Sequence, residues 1–347
     1  MNRYSLNAIG RKEPAGGGGA GGLTVTDLAG RTVTVPSRPS RIAPLVGPGF
    51  EKIILLGAVD KVAITGNRNA TSSWSVVVAP SFKDKPVTEN ATDPNIEELI
   101  RLGVDVVFYW DSYPQVIDRL DQAGIPVVVT QLGTGNPKSI DEFIQFQKEE
   151  VMLFGTVLGG DHLKKAEEWC QFFDEKVNFI RSRTASLGPG KRPDVYYVRG
   201  PDPLTIHGRN SYTMWLVELA GGNLVSRDSK IELLYTTTME DVVNWNPEYI
   251  FMGRVNNTDS IMNDPAWSSI RAVKAGKVIV NPKGVMVWDY SSEGFLLMEF
   301  IAKTIHPELF KDLDVKQEIK DYYRRFYGYT LSDDETDRIY RFMDPAK

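Results

Sequence analysis

Beyond Gly22 the chain alternates short, continuous apolar runs with segments whose apolar residues recur every three to four positions. The runs Ile42–Val46, Val62–Gly66, Val104–Trp110 and Pro126–Thr130 are apolar on both faces, as buried parallel strands are. Between them lie GFEKIILLGA, PNIEELIRLG and YPQVIDRLDQAG, which have helical periodicity and stop at or near glycine. A second set of runs follows at Asp194–Gly200, Pro247–Gly253 and Lys277–Pro282, with TMWLVELAGG and TMEDVVNWN as its helices. Strand–helix alternation at this spacing predicts α/β architecture with crossover helices, built as two similar Rossmann-like lobes with mostly parallel sheets.

From about Ser139 to Thr184 the strand signal disappears. DHLKKAEEWCQFFDEKVNFIRSRTASL reads as one helix without Gly or Pro until its end, and at 1.5 Å per residue it spans about 35–40 Å, enough for a stiff connector. HPELFKDLD, KQEIKDYYRRFYG and SDDETDRIYRFM read as charge-rich helices packed on the outside. The expected organisation is therefore a flexible tether over 1–22, an N-terminal lobe over 23–160, a bridging helix over 161–187, a C-terminal lobe over 188–305 and terminal helices over 306–347.

Composition narrows the function classes. The chain has 347 residues, 42% of them hydrophobic, enough for two cores where single cores stop growing near ~250–300 residues. The net charge of −5 and the lack of a basic block argue against nucleic acid as a partner. Cys170 is the one cysteine, so no internal disulfide and no multi-cysteine metal site can form; it reads as a small apolar group on a helix. No run approaches the ~20 apolar residues of a membrane span, and Met1–Gly22, ending in PAGGGGAGG, has no apolar signal core. Motifs for phosphate or dinucleotide binding or a nucleophile elbow are missing. GPGF at Gly47–Phe50 follows the first strand but is too short to indicate a phosphate site.

In open α/β sheets ligands bind at the C-terminal ends of the strands. Those ends supply Trp110, Asp111 and Tyr113, then Arg199, then Arg254 and Asn256, then Trp288 and Tyr290. The loop after Val62–Gly66 adds Arg68 and Trp74, and HGRNSYTMW adds His207, Arg209, Tyr212 and Trp215. Tyr196 and Tyr197 point to opposite faces of one strand, so one of them, taken here as Tyr197, faces the ligand; Trp169, Trp245 and Trp267 are assigned to packing. Aromatic rings cover apolar ligand faces and guanidinium groups pair bidentately with anionic oxygens, so this mix suits a bulky, partly apolar anion. The three histidines, His162, His207 and His306, lie far apart in sequence and form no metal-ligand spacing. No resident cofactor or protein-held metal is expected; metal, if carried, would arrive already chelated, with His207 able to complete its coordination sphere.

Several linked segments resemble a known family. VTDLAGRTVTVPSRPSRIAPL resembles its opening hairpin and first strand, and PNIEELIRLGVDVVF its acidic helix followed by a strand. ELAGGNLV, TMEDVVNWNPEYIFMG, WSSIRAVKAGKVIVNP, HPELF and the tail YYRRFYGYTLSDDE are similar to its later landmarks. The order and spacing, from about Thr24 to the C-terminus, resemble the periplasmic binding proteins that deliver ferric siderophores, cobalamin and haem to ABC importers. Gly103-Val104-Asp105 departs from the Pro-Asp common there, and no lipid-anchoring cysteine motif is visible.

The resemblance implies two lobes joined by a long helix, with the ligand in the cleft between lobes. It implies an extracytoplasmic or lipid-anchored monomer, a metal chelate as cargo with a ferric siderophore foremost, and the importer's membrane subunits as partner. Cobalamin, haem and a nickel or cobalt chelate remain alternatives; an α/β enzyme using the same cleft is the alternative of another class. In this family each lobe presents a surface glutamate to arginines of the membrane subunits, and the matching positions are Glu97 and Glu240, each next to a second acid, Glu98 or Asp241.

Overall fold

The computed structural model describes residues 22–133, 136–232 and 234–346. The chain divides into two compact units. The first comprises the described part of Met1–Gly135 with Ile144–Phe172 and Arg325–Tyr329; the second comprises Asn136–Phe143, Phe173–Arg324 and the described part of Thr330–Lys347. The tether expected over 1–22 lies outside the described residues except for Gly22, which opens the first strand.

The first unit begins with an antiparallel hairpin of β1 (Gly22–Thr26) and β2 (Thr32–Pro36). The buried Asp27 organises its turn, accepting from the backbone N–H of Ala29 and Arg31 and from Arg31 Nε. The oxygen that accepts from Arg31 Nε also accepts from the N–H of Val129 at 3.1 Å, fixing the hairpin to the sheet. That sheet is the parallel set β3 (Ile42–Pro44), β4 (Val106–Trp110) and β5 (Val127–Gln131), in that order. Val106, Val107, Phe108, Val127, Val128 and Val129 are all buried, which is why the strands read as unbroken apolar runs. Helices Gly49–Leu55, Ile96–Arg101 and Pro114–Gln122 connect this region, and Gly103 takes the left-handed conformation (φ +65°) that ends the second of them.

The predicted strand Val62–Gly66 is not formed. Val62 makes a single parallel bridge to Ile42, and Thr65 bridges Val87 instead, its N–H bonding to Pro86 O and its C=O receiving Thr88 N–H. The backbone is thus shared between two partners and cannot extend one ladder. This unit also buries a charge cluster: Lys52 Nζ lies 3.3 Å from Glu51 and 3.6 Å from Glu150, and Tyr327 Oη donates to Glu51 at 2.9 Å. Burial lowers the Lys52 pKa, but Glu150 and Glu51 outweigh it and hold the amine above its ordinary value.

The second unit holds a mixed sheet ordered β11 (Val278–Val280), β10 (Tyr249–Met252), β6 (Asp194–Val198), β7 (Thr205–His207), β9 (Leu234–Thr236), with β8 (Asn223–Leu224) also pairing β6. β10 is parallel to both β6 and β11, whereas β7 runs antiparallel to β6 and β9 antiparallel to β7. The short strands β7, β8 and β9 escape the sequence reading because two or three residues carry no periodicity. Helix Gly294–Ile305 escapes it too: it is apolar nearly all round and nearly all buried, so it has no amphipathic signature.

Helices Ile140–Leu158 and Gly160–Thr184 replace the strandless region, and each contributes residues to both units. HPELFKDLD is not a helix but a series of hydrogen-bonded turns, because Pro307 follows directly on the residue that caps the preceding helix. The remaining tail forms helices Val315–Tyr322 and Asp333–Tyr340 with a π-helical turn, Tyr323–Tyr327, between them. Among the described residues no helix is long and apolar enough to cross a membrane.

Candidate functional site

The parallel register of the second unit sets the site. Val198 pairs with Met252, and Met252 with Val280, so the residues just beyond these three positions emerge together. They are Arg199, Arg254 and Asn281. Gly253 between them is required by packing: a Cβ there would lie 2.6 Å from the Tyr197 ring and 2.7 Å from Val198 O. The antiparallel pairing of β7 with β6 brings His207 alongside. Ser211 caps helix Tyr212–Leu219, accepting the N–H of Met214, and thereby places Tyr212 at the helix start.

Both arginines converge on one phenol. Arg199 Nε and Arg254 Nη2 each donate to Tyr212 Oη at 3.1 Å. Arg254 Nε also donates to both oxygens of Asp289 (3.2 and 3.3 Å), whose carboxylate is fully buried. Tyr290, from the turn Trp288–Tyr290, packs with its ring tilted 31° against Tyr212 at 5.7 Å and lies under the Arg254 guanidinium at 5.2 Å. Asn281 Nδ2 donates to Tyr197 Oη at 2.8 Å. The ring of His207 packs edge-on against Tyr212, and its Nδ1 lies 3.0 Å from Thr213 Oγ1.

The electrostatics follow from burial and the two cations. Burial first, then Arg199 and Arg254, pull the His207 pKa down to about 3, so the imidazole is neutral near pH 7. Burial and Asp289 push Tyr212 up against the opposing arginines, so it keeps its proton. Burial disfavours the Arg254 charge, but Asp289 and Tyr212 outweigh that and raise its pKa. With one carboxylate against two guanidinium groups, the cluster carries one net positive charge.

This geometry can do one thing well. Tyr212 Oη already accepts two N–H bonds, so its own O–H is left to donate. Nη1 and Nη2 of the half-buried Arg199 have no partner among the described residues. The site offers donors and a positive charge, the complement of an oxyanion.

The other predicted residues lie elsewhere. In the first unit Trp110 and Tyr113 are half-buried at the end of β4, rings 5.8 Å apart, while Asp111 accepts the N–H of Gly133 at 2.6 Å. Arg68 is exposed on a turn, and Trp74 is fully buried. In the second unit Trp288 is buried, and Arg209 is exposed and paired with Glu232 at 3.4 Å. Trp215 is buried, its indole N–H donating to Pro137 O. Of the tyrosine pair, Tyr196 enters the core and Tyr197 the cluster. Trp169 and Trp267 are buried, and Trp245 packs partly buried against the core. His162 bonds to Leu56 O and His306 to Gly221 O, and among the described residues no group of three metal-ligating side chains forms.

Residues 42–284 match the periplasmic binding protein family. The chain belongs to that family. It is thus a solute-binding component of a transport system rather than an enzyme, and an extracytoplasmic protein.

The molybdate-binding protein MolA of Haemophilus influenzae is 28% identical over 341 residues, covering 90% of this chain and 93% of MolA. The structure of MolA bound to molybdate superposes with a TM-score of 0.80, at 26% identity, covering 89% of this chain and 99% of that one. A periplasmic solute binding protein of Veillonella parvula is similar, with 27% identity and a TM-score of 0.78, covering 92% and 97%. Helicobacter pylori CeuE, solved with nickel, shares the fold at 21% identity, with a TM-score of 0.70 over 91% and 98% of the two chains.

In this binding protein Asp289, which holds Arg254, and Asn281, which holds Tyr197, stand out from no sequence pattern. Asp289 lies between Trp288 and Tyr290, and an acid between aromatics in a chain with two arginine-bearing strand ends is the one signal for it.

Proposed function

We propose that this protein is the solute-binding component of an ABC importer whose cargo is an anion, a metal oxyanion of molybdate's kind being the first candidate. The carrying observation is the donor-only face of Arg199, Tyr212 and Arg254. Molybdate at neutral pH offers four acceptor oxygens and no donor, so it matches this face. The likeness to MolA over nine-tenths of the chain supports the same reading. A second reading, an anionic ferric siderophore or other chelate, is favoured by the paired rings of Trp110 and Tyr113 in the first unit, which suit a bulky apolar ligand surface.

Delivery requires docking. Glu97 and Glu240 are both exposed, and each is the second residue of a short helix, Ile96–Arg101 in the first unit and Met239–Trp245 in the second. Their neighbours are engaged locally: Glu98 lies 3.7 Å from Arg101, and Asp241 closes a capping box with Thr238. That leaves Glu97 and Glu240 to meet basic side chains of the membrane subunits.

Tryptophan fluorescence titration tests the cargo, with molybdate, tungstate, sulfate, ferric catecholate and hydroxamate chelates, haem, cobalamin and bare Ni(II) and Fe(III). Saturable binding of molybdate and tungstate is the expected result, with a ferric chelate as the result for the second reading. Binding confined to bare cations or to cobalamin would overturn both.

A further inference from the structure

The two short helices that carry Glu97 and Glu240 match position by position beyond those acids. In each, a polar side chain caps the start, Asn95 accepting from Glu98 N–H and Thr238 from Asp241 N–H. The second residue is the exposed glutamate, and the third is the locally engaged acid. The fourth, Leu99 or Val242, is buried in the core of its own unit. The fifth is a branched aliphatic left in water: Ile100 is 55% exposed and Val243 47%. A spacing of three places each aliphatic on the same helix face as its glutamate.

A single exposed aliphatic is ordinary on a protein surface. A β-branched aliphatic at the same helix position, beside an uncommitted glutamate, once in each unit, is a repeated device. We infer that Ile100 and Val243 are paired apolar contacts for the importer's membrane subunits, each entering a hollow beside the basic group that receives Glu97 or Glu240. The partner so described presents two equivalent surfaces, each with a cation next to an apolar depression. Charge selects and orients such a partner, while desolvation of the aliphatic slows its release. This inference rests on the docking reading above and adds to it the residues that hold the complex once formed.

The test uses the full chain and the importer's membrane complex in lipid nanodiscs, at low and high salt. Wild type is compared with the pair Ile100→Thr and Val243→Thr and with the pair Glu97→Gln and Glu240→Gln. Threonine keeps the branching at Cβ, and the alanine pair replaces it if the threonine pair melts lower than wild type. The aliphatic pair is expected to weaken docking roughly tenfold at both salt concentrations, by faster release. The glutamate pair is expected to weaken it mainly at low salt, where unscreened charge matters. Wild-type docking by the aliphatic variants alongside weakened docking by the glutamate variants would overturn this inference and leave the docking reading standing. Unchanged docking in both pairs would overturn both. A self-associated dimer of wild type that dissociates in the aliphatic variants would also overturn it, assigning the face to a second copy of this chain.

Discussion

In the first unit the parallel strand β4 ends in Trp110, Asp111 and Tyr113; in the second, β6 and β10 run out into Arg199 and Arg254. The first end is a cluster of rings, with Tyr109, Trp110 and Tyr113 between 5.3 and 6.0 Å apart, and its one carboxylate is occupied by a backbone N–H. The second is a network in which the hydrogen bonds of both arginines converge on Tyr212 and Asp289. Equivalent places in similar α/β sheets thus carry different chemistry, apolar cover in one and charge recognition in the other. Strand topology says where a ligand site is; the residues after the last strand position say what it holds.

The largest effect should come from Arg254. Arg254→Met strands the buried Asp289 carboxylate without its ion-pair partner, which costs ~3–5 kcal/mol where buried pairs are broken one-sidedly. Denaturant unfolding should register that loss, and adding Asp289→Leu should recover most of it. A single variant as stable as wild type would mean that the second unit's strand end is no more organised than the first's.

Trp110→Ala sharpens the contrast from the other side. If the cargo is a small oxyanion held by the second unit, affinity should change by less than about threefold, below ~0.6 kcal/mol. A loss of tenfold or more would show that aromatic cover in the first unit takes part and would favour a chelate.

His207 gives the smallest effect. Its pKa is about 3 in the fold against 6.5 for an ordinary histidine, so between those values the unfolded chain binds the extra proton. Its contribution to stability is complete above about pH 6.5 and is lost as pH falls toward 3. Near pH 7 and above, the imidazole adds no charge, and His207→Gln should leave the pH profile of anion affinity unchanged there. A histidine-dependent step in affinity between pH 6 and 8 would contradict the neutral assignment.

How far the sequence reaches is clearest at these same strand ends. VVFYW and DVYYVRG are legible because unbroken apolar runs mark buried parallel strands, and the residues at and just beyond their ends name Trp110, Tyr113 and Arg199 directly. Arg254, Tyr212, His207 and Tyr290 were legible as candidates, but their convergence on one hydroxyl was not, because it depends on register between strands more than fifty residues apart. Trp74 and Trp288 read as ligand rings and lie buried, since sequence gives an aromatic residue no direction. The Val62–Gly66 segment read as a strand because apolar content signals burial, and burial alone does not decide how a backbone pairs.

On the proposed function, the second unit's strand end binds an anion through Arg199. Calorimetric titration of molybdate into wild type and Arg199→Ala tests it most directly. Saturable one-to-one binding by wild type is expected, with a loss of ten- to a hundredfold in the variant, matching the ~1.5–3 kcal/mol of a hydrogen bond to a charged group, and an unchanged melting temperature. Equal affinity in the two proteins would contradict it.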